Sequence, residues 1–357
     1  MLYKLVKPLL FKMDPERAHS MTIRTLKTVQ KYPKLFPVME RCFKYESHLL
    51  KQHIQGLTFA NPVGLAAGFD KSCEVPNVLQ YAGFGAIELG GITPKPQSGN
   101  PKPRMYRLLE DDAIINRMGF NNIGMNKALS NMRRHTYHIP VGINVGVNKV
   151  TPHEQRFEDY IKVMDTFKHD ASFFTINISS PNTANLQDFH SKTEFKKLCK
   201  AVKAYQKTVD KHVPTFLKVT SDIDVEDLDK IIDLITDTFD GIVLANTTQQ
   251  RDNLHSANGS ESGGLSGRPL FDRSLALVNW VYKRTNGKFL IIATGGIFNA
   301  ADAIRMMRNG ATLLQIYTSF VYEGPMLMRR INKDIARYLE DNQYFQISDI
   351  VGMDVDL

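Results

Sequence analysis

Eight short, almost uninterrupted apolar runs recur through the chain, at residues 64–68, 86–91, 141–145, 173–179, 215–220, 241–246, 289–294 and 313–317. Each is followed by a loop and, in most cases, a stretch with helical periodicity. Antiparallel strands with one wet face alternate apolar and polar residues; continuous apolar runs separated by helices mark parallel strands buried on both faces. Eight such βα units over roughly 280 residues predict an α/β fold of the (β/α)₈ TIM-barrel type, for which about 250 residues is usual. A doubly wound open sheet is the alternative, but no Gly-x-Gly-x-x-Gly turn supports it. Residues 56–63 read as a small hairpin closing one end of the barrel.

In such a barrel the strand C-termini and the loops after them carry the chemistry. The run Phe173-Phe174-Thr175-Ile176-Asn177-Ile178-Ser179 ends in Ser180-Pro181-Asn182-Thr183. An amide buried mid-strand without partners costs roughly 2–7 kcal/mol, so Asn177 calls for a polar ligand. Lys218, inside Phe216-Leu217-Lys218-Val219, calls for an electron-rich one. Asn116, Asn121, Asn122, Asn144 and Asn246 fall in a long loop or at other strand ends. Neutral amides that donate and accept suit a planar heterocycle bearing carbonyl and ring N–H groups. Thr294-Gly295-Gly296, Tyr317-Thr318-Ser319 and Gly263-Gly264-Leu265-Ser266-Gly267 offer free backbone donors where barrels usually hold phosphate. The bland reading of each glycine pair is a plain turn.

The ends of the chain differ from its body. Leu2, Leu5, Val6, Leu9 and Met13 recur at helical spacing, with lysines off the stripe. Asp14-Pro15-Glu16 then reads as an N-cap, a proline at the first helical position and an early acid. The second helix carries Ala18, Met21, Thr22, Leu26 and Val29 before Pro33 and Pro37 break the run. Residues 1–45 hold ten Lys/Arg against three acids, which is +7 of the chain's +8. A nucleic-acid surface on the barrel is therefore disfavoured. Amphipathic stripe and charge together suit docking on an anionic membrane surface, the bland alternative being a helical cap. No segment reads as a signal peptide or is long and apolar enough to span a bilayer. Three cysteines, Cys42, Cys73 and Cys199, show no CxxC pairing, and the histidines are scattered, so neither a disulfide framework nor a metal site is expected. The expected division is 1–45 for an amphipathic helical membrane-docking domain, 46–340 for the barrel, and a tail, 341–357, without an assigned role.

Several motifs together resemble dihydroorotate dehydrogenase, and more narrowly its membrane-associated, quinone-dependent class. They are Asp14-Pro-Glu-Arg-Ala-His19, Gly64-Leu-Ala-Ala-Gly-Phe-Asp-Lys71, Thr93-Pro-Lys-Pro-Gln97, Asn116-Arg-Met-Gly-Phe-Asn121, Asn177-Ile-Ser-Ser-Pro-Asn182 and Gly263-Gly-Leu-Ser-Gly-Arg-Pro269. The resemblance implies oxidation of dihydroorotate to orotate in pyrimidine biosynthesis, with FMN as cofactor and a membrane quinone as electron acceptor. It implies a peripheral protein on the cytoplasmic face of the cell membrane, with no obligate protein partner. FMN would be held by Ala67, Gly68, Phe69, Asp70, Lys71, Asn144, Asn177, Lys218, Gly267, Gly296, Tyr317 and Thr318. Gly91 and Ala245 would also be FMN contacts, and both stand where relatives often carry threonine. Dihydroorotate would be held by Lys71, Asn116, Arg117, Met118, Gly119, Phe120, Asn177, Asn182, Asn246 and Thr247. Ser180 would be the catalytic base; soluble classes carry cysteine there. His19, Arg104 and Tyr317 would line the quinone route, against bland readings as a capping His, a surface Arg and a core Tyr. Two rivals remain at this point: a flavin barrel reducing uridine in tRNA, and a membrane-docking scaffold with a degenerate barrel.

Overall fold

The computed structural model describes residues 2–179 and 192–356. The expected base Ser180 and the substrate residue Asn182 lie outside the described residues. Three helices come first, α1 (Leu2–Lys12), α2 (Pro15–Val29) and α3 (Phe36–Phe43). They are followed by β1 (Gln52–Ile54), β2 (Leu57–Phe59), β3 (Val63–Leu65), α4 (Pro76–Leu79), β4 (Ile87–Ile92), β5 (Met105–Leu108) and β6 (Ala113–Asn116). Next come α5 (Met125–Met132), β7 (Val141–Val145), α6 (Arg156–Phe167), β8 (Phe173–Asn177), α7 (Lys192–Gln206), β9 (Thr215–Lys218), α8 (Val225–Thr238) and β10 (Gly241–Leu244). The chain continues through β11 (Gly264–Gly267), α9 (Phe271–Arg284), β12 (Leu290–Thr294), α10 (Ala300–Arg308), β13 (Leu313–Ile316), α11 (Thr318–Glu323) and α12 (Leu327–Asp341).

Strands β3, β4, β7, β8, β9, β10, β12 and β13 pair in chain order, and β13 returns to β3, closing a parallel barrel. Each coincides with one of the eight apolar runs. The expected hairpin sits slightly earlier. Gln55 and Gly56, both with positive φ, make the tight turn between β1 and β2, so residues 56–63 hold the second hairpin strand and the entry to β3.

The barrel interior is layered. Side chains on a strand alternate between its two sides, so residues two apart share the inner wall. Phe173, Phe216, Val243, Ile292 and Leu313 pack with Phe59 of the hairpin into one apolar layer that plugs the N-terminal end. Two residues further along β8, β9 and β13 the inner wall turns polar, at Thr175, Lys218 and Gln315, all buried. Packing of large apolar side chains explains the first layer; it does not explain the second.

The long connections are not loops. Residues around Asn116 and around Gly264 are strands: β5, β6 and β11 form an antiparallel sheet in which Gly264 pairs with Asn116. Excursions after β4 and after β10 thus meet above the mouth. Single-strand periodicity gave no sign of this pairing, because the partners lie about 150 residues apart in sequence.

At the N-terminus, the Asp14 carboxylate accepts from the Arg17 N–H at 2.9 Å and caps α2 as expected. Pro37 opens a further helix, α3, because proline is tolerated in a first turn. In α2 it is Ala18 and Ile23 that are buried, while Met21 faces outward. On α1, Leu5 and Leu9 are 73% and 68% exposed, so that apolar stripe does not pack on the barrel. No helix among the described residues is long and apolar enough to cross a membrane.

The tail has a packing role that its composition concealed. Ile347 and Ile350 are fully buried, and the Tyr282 hydroxyl donates to the Val351 carbonyl at 3.2 Å. Gly352 has φ +79 and lies flat on the Tyr282 ring, where an added Cβ would sit 2.1 Å from a ring carbon. Arg308 Nε donates to both Asp354 carboxylate oxygens at 2.9–3.0 Å, and Nη2 donates to Oδ1 as well. Burying one isoleucine contributes about 1.5–3 kcal/mol, so deleting residues 345–357 should cost about 3 kcal/mol or more. Urea denaturation checks this; an unchanged midpoint would mean the tail is a passive appendage.

Candidate active site

Where the barrel's polar layer meets the mouth there is an open cavity. Lys218 ends β9 beside Asn177 of β8 and is 5% exposed. Among the described residues no side chain or carbonyl hydrogen-bonds its ammonium. Burial pulls its pKa down, opposed by the negative charge of Glu88.

Glu88, on β4, is itself 1% exposed. Its two oxygens accept from Asn144 Nδ2 at 2.6 Å and from Gln315 Nε2. A carboxylate only accepts, so both amides must turn their NH₂ groups towards it. From Asn144 the donations continue in one sense around the wall. Asn177 Nδ2 donates to Asn144 Oδ1 (3.2 Å), Ser179 Oγ to Asn177 Oδ1 (2.6 Å), and Asn246 Nδ2 to Ser179 Oγ (2.8 Å). The Ser179 N–H also donates to Asn177 Oδ1 at 3.1 Å. The Asn177 oxygen is thereby occupied, and its remaining capacity is as an N–H donor.

On the other side, Gly267 and Gly296 line the cavity with φ +106 and +71. A Cβ at Gly296 would come within 2.5 Å of Phe271, and one at Gly267 within 2.3 Å of the Asp112 carbonyl. Only glycine keeps these backbone segments bare at the wall. Thr318 opens α11 there, and its hydroxyl meets that of Ser266 at 2.8 Å.

Most of the expected site residues come together here. Ala67, Gly68, Lys71, Gly91, Asn144, Asn177, Lys218, Ala245, Gly267, Gly296, Tyr317 and Thr318 line the cavity, as do Asn116, Met118, Gly119, Phe120, Asn246 and Thr247. Three expected side chains point elsewhere. Asp70 spends its carboxylate on the N–H groups of Ser72, Glu74 and Val75 at 2.8–3.2 Å, fixing the loop that presents Lys71. Phe69 packs edge-on against His19, Tyr317 and Phe320. Arg117 turns outward to Glu261 at 2.9 Å and stacks over Tyr106. The Phe120 ring occupies the space above Gly91, where a Cβ would lie 2.6 Å from it. Position 91 therefore offers only backbone to the cavity.

Lys71 Nζ donates to the Gly68 carbonyl at 2.7 Å, and burial lowers its pKa to about 8. His19 and Arg104 lie outside the main cavity, on the side where α2 rests. His19 Nε2 donates to the Phe69 carbonyl at 2.7 Å, which leaves Nδ1 as an open acceptor. Burial first, then the Lys71 charge, drive its pKa down to about 3, so it is neutral. Arg104 is no surface residue. It is 6% exposed, forks onto Glu16 of α2 at 2.7 and 3.2 Å, and donates to the Ser98 and Asn100 carbonyls. Tyr317 bridges the two regions, lining the cavity and facing Phe69.

Two participants escaped the sequence reading, Glu88 and Gln315. The signal was present: a carboxylate inside Ile87-Glu88-Leu89 is as anomalous as Lys218 inside its own strand, and the two answer each other electrostatically.

Sequence and fold comparisons agree on one family. A profile described as dihydroorotate dehydrogenase matches residues 49–339. A dihydroorotate dehydrogenase (quinone) of Christiangramia forsetii is 42% identical over 336 residues, covering 94% of this chain and 98% of that protein. Its counterpart from Roseiflexus sp. is 40% identical over 354 residues, covering 99% and 98%. The ligand-free crystal structure of the Eimeria tenella protein superposes with a TM-score of 0.88 at 35% identity, covering 96% of this chain and all of that one. A complex of that protein with ferulenol gives 0.83 at 34% identity, with 96% of each chain covered.

The Glu16–Arg104 pair fastens α2 beside the mouth. Burial opposes ionisation of Glu16, but the hydrogen bonds and charges of Arg104 and Lys102 outweigh it, and its pKa is lowered. A depressed carboxylate contributes stability above its unfolded pKa, and that stability is lost as pH falls through the folded value. Glu16→Ala leaves a buried guanidinium unpaired and should cost about 3 kcal/mol at neutral pH. The gap between variant and wild type should close as pH falls below 4.5, the ordinary carboxylate value. Denaturant titrations at pH 7 and in acid check both statements.

Proposed function

The chain belongs to the quinone-dependent dihydroorotate dehydrogenase family of oxidoreductases, and from that premise we propose that it oxidises dihydroorotate to orotate on FMN and passes the electrons to a membrane quinone. The observation that carries the cofactor assignment is the buried Lys218 ammonium, unbonded among the described residues, on the wall of a cavity lined with amide donors and bare glycine backbone. A flavin fits this donor set. Its pyrimidine edge is rich in acceptors and becomes anionic on reduction, which a neighbouring ammonium favours. Gly267, Gly296 and Thr318 suit the phosphate end, since backbone N–H groups there can reach an anion. Family membership also sets aside the tRNA-reducing and scaffold readings.

Bound FMN would supply the two-electron acceptor chemistry needed to take a hydride from C6 of dihydroorotate and return the electrons to a quinone. The protein's own part is positioning and proton transfer. Lys71, Asn116, Asn177, Asn182, Asn246 and Thr247 are assigned to hold the substrate, with the backbone of residues 117–120 alongside. Lys71 supplies charge for the substrate carboxylate, and the polarised amides supply N–H donors for its ring carbonyls. Holding both partners in register supplies much of the acceleration. Ser180 is assigned the proton at C5. The quinone route runs from α1 and α2 past His19 and Arg104 to Tyr317, supported by the edge-on series His19–Phe69–Tyr317. Residues 1–45 are assigned to dock the protein peripherally on a cytoplasmic membrane face, since the outward stripe of α1 and the local charge of +7 act in one direction.

Anaerobic mixing with dihydroorotate tests the reading: the bound flavin should bleach stoichiometrically, and an oxidised spectrum that does not change would refute it. General-base catalysis contributes about 10²–10⁴-fold, so Ser180→Ala should slow bleaching by that factor while retaining FMN and orotate binding. Reduction at wild-type speed would remove Ser180 from the role.

Charge reversal at Lys4, Lys7 and Lys12 should weaken binding to anionic liposomes and slow turnover with long-chain quinones. Each lysine near such a surface contributes about 1 kcal/mol. Dihydroorotate-driven bleaching should be unaffected; undiminished liposome binding would rule out electrostatic docking.

A further inference from the structure

Glu88 makes no hydrogen bond or ion pair with Lys218, although among the described residues it is the acid whose charge opposes the effect of burial on that lysine. Both of its oxygens are held by neutral amides, Asn144 from β7 and Gln315 from β13. These strands flank β4 on opposite sides, Asn144 directly and Gln315 one strand beyond β3. The clamp therefore spans the barrel interior. A free carboxylate near a buried ammonium would close on it and form a direct ion pair, using up the ammonium's donors. Glu88 is held back from doing so because each of its oxygens is tethered to an amide on another strand. The carboxylate also fixes the sense of the amides, since it forces NH₂ groups towards itself and sends the Asn144 oxygen towards Asn177.

We propose that Glu88 is a positioning residue of the flavin site: clamped by Asn144 and Gln315, it supplies the countercharge for Lys218 without consuming that lysine's hydrogen-bond donors, and so keeps an ammonium ready for the acceptor edge of the cofactor. The inference deepens the assignment above and rests on it. It predicts a division of labour in which charge at position 88 matters more than side-chain shape. The isosteric Glu88→Gln retains the volume and can still bond both amides if Gln315 reverses, but it removes the countercharge. Glu88→Asp retains the charge and shortens the reach.

The test is FMN affinity of the apoprotein against pH, read by quenching of flavin fluorescence, for wild type, Glu88→Gln and Glu88→Asp. A buried lysine that loses its countercharge gives up its proton at lower pH. In Glu88→Gln the pH above which FMN affinity declines should therefore move down by about one unit or more, a tenfold change in proton affinity. Glu88→Asp should restore the wild-type profile at least in part. A parallel readout is the flavin midpoint potential against pH, where Glu88→Gln should show the same displaced inflection. Superimposable profiles for Glu88→Gln and wild type would overturn the proposal. So would a Glu88→Asp variant that behaves like Glu88→Gln, because charge would then not be the property that matters. If neither variant folds, Glu88 serves the stability of the barrel wall and the proposal fails. The wild-type control separates this failure from that of the parent reading: if wild type binds no FMN, the flavin assignment falls first.

Discussion

A closed ring of eight parallel strands buries its inner wall, so a polar group there needs a partner built into the fold or brought in from outside. The lower layer satisfies this constraint with Phe173, Phe216, Val243, Ile292 and Leu313. The upper layer satisfies it with a directed series of donations, from Asn246 through Ser179, Asn177 and Asn144 to Glu88. Among the described residues that layer leaves over the Lys218 ammonium, the N–H capacity of Asn177, and two unpartnered buried oxygens, Gln315 Oε1 and Thr175 Oγ1. The preference of the site for an acceptor-rich, planar, anionic ligand follows from that remainder.

The same economy governs how the N-terminal helices are joined to the barrel. Arg104, at the end of the β4–β5 connection, is buried, and Glu16 of α2 meets its guanidinium with both oxygens. His19 reaches the Phe69 carbonyl, and Lys27 and Gln30 reach Glu74 at 2.6 and 2.9 Å. All of these anchor points lie on loops at the C-terminal ends of the strands. A helix pair that presents Leu5 and Leu9 outward is thus fixed next to the cavity, with Tyr317 between them.

Strand existence was legible because parallel strands buried on both faces leave an unmistakable apolar trace, and all eight runs became barrel strands. Lys218 and Asn177 were legible because each violates that trace. Glu88 violates it equally, but a single acid in a strand carries no indication of its partners, and Gln315 and Asn144 become partners only when the barrel closes. The β5–β6–β11 sheet was invisible for a similar reason, since its pairing joins excursions from opposite halves of the chain. The tail escaped because its anchors, Ile347, Ile350 and Gly352, are too sparse to show a period, and their partner Tyr282 lies in α9. Where resemblance supplied residue lists, geometry sorted them: Asp70 and Arg117 hold the loops, while their neighbours Lys71 and Met118 face the cavity.

The central claim is that the Lys218 ammonium, countered by Glu88 at a distance and bonded to no described residue, is the seat of the cofactor's acceptor edge. A crystal structure of the protein with FMN and orotate bound tests it directly. Lys218 Nζ should lie within hydrogen-bonding reach, about 3 Å, of the flavin pyrimidine ring, with Glu88 still held by Asn144 and Gln315. A flavin bound elsewhere, or Lys218 bonded to Glu88 in the complex, would contradict it.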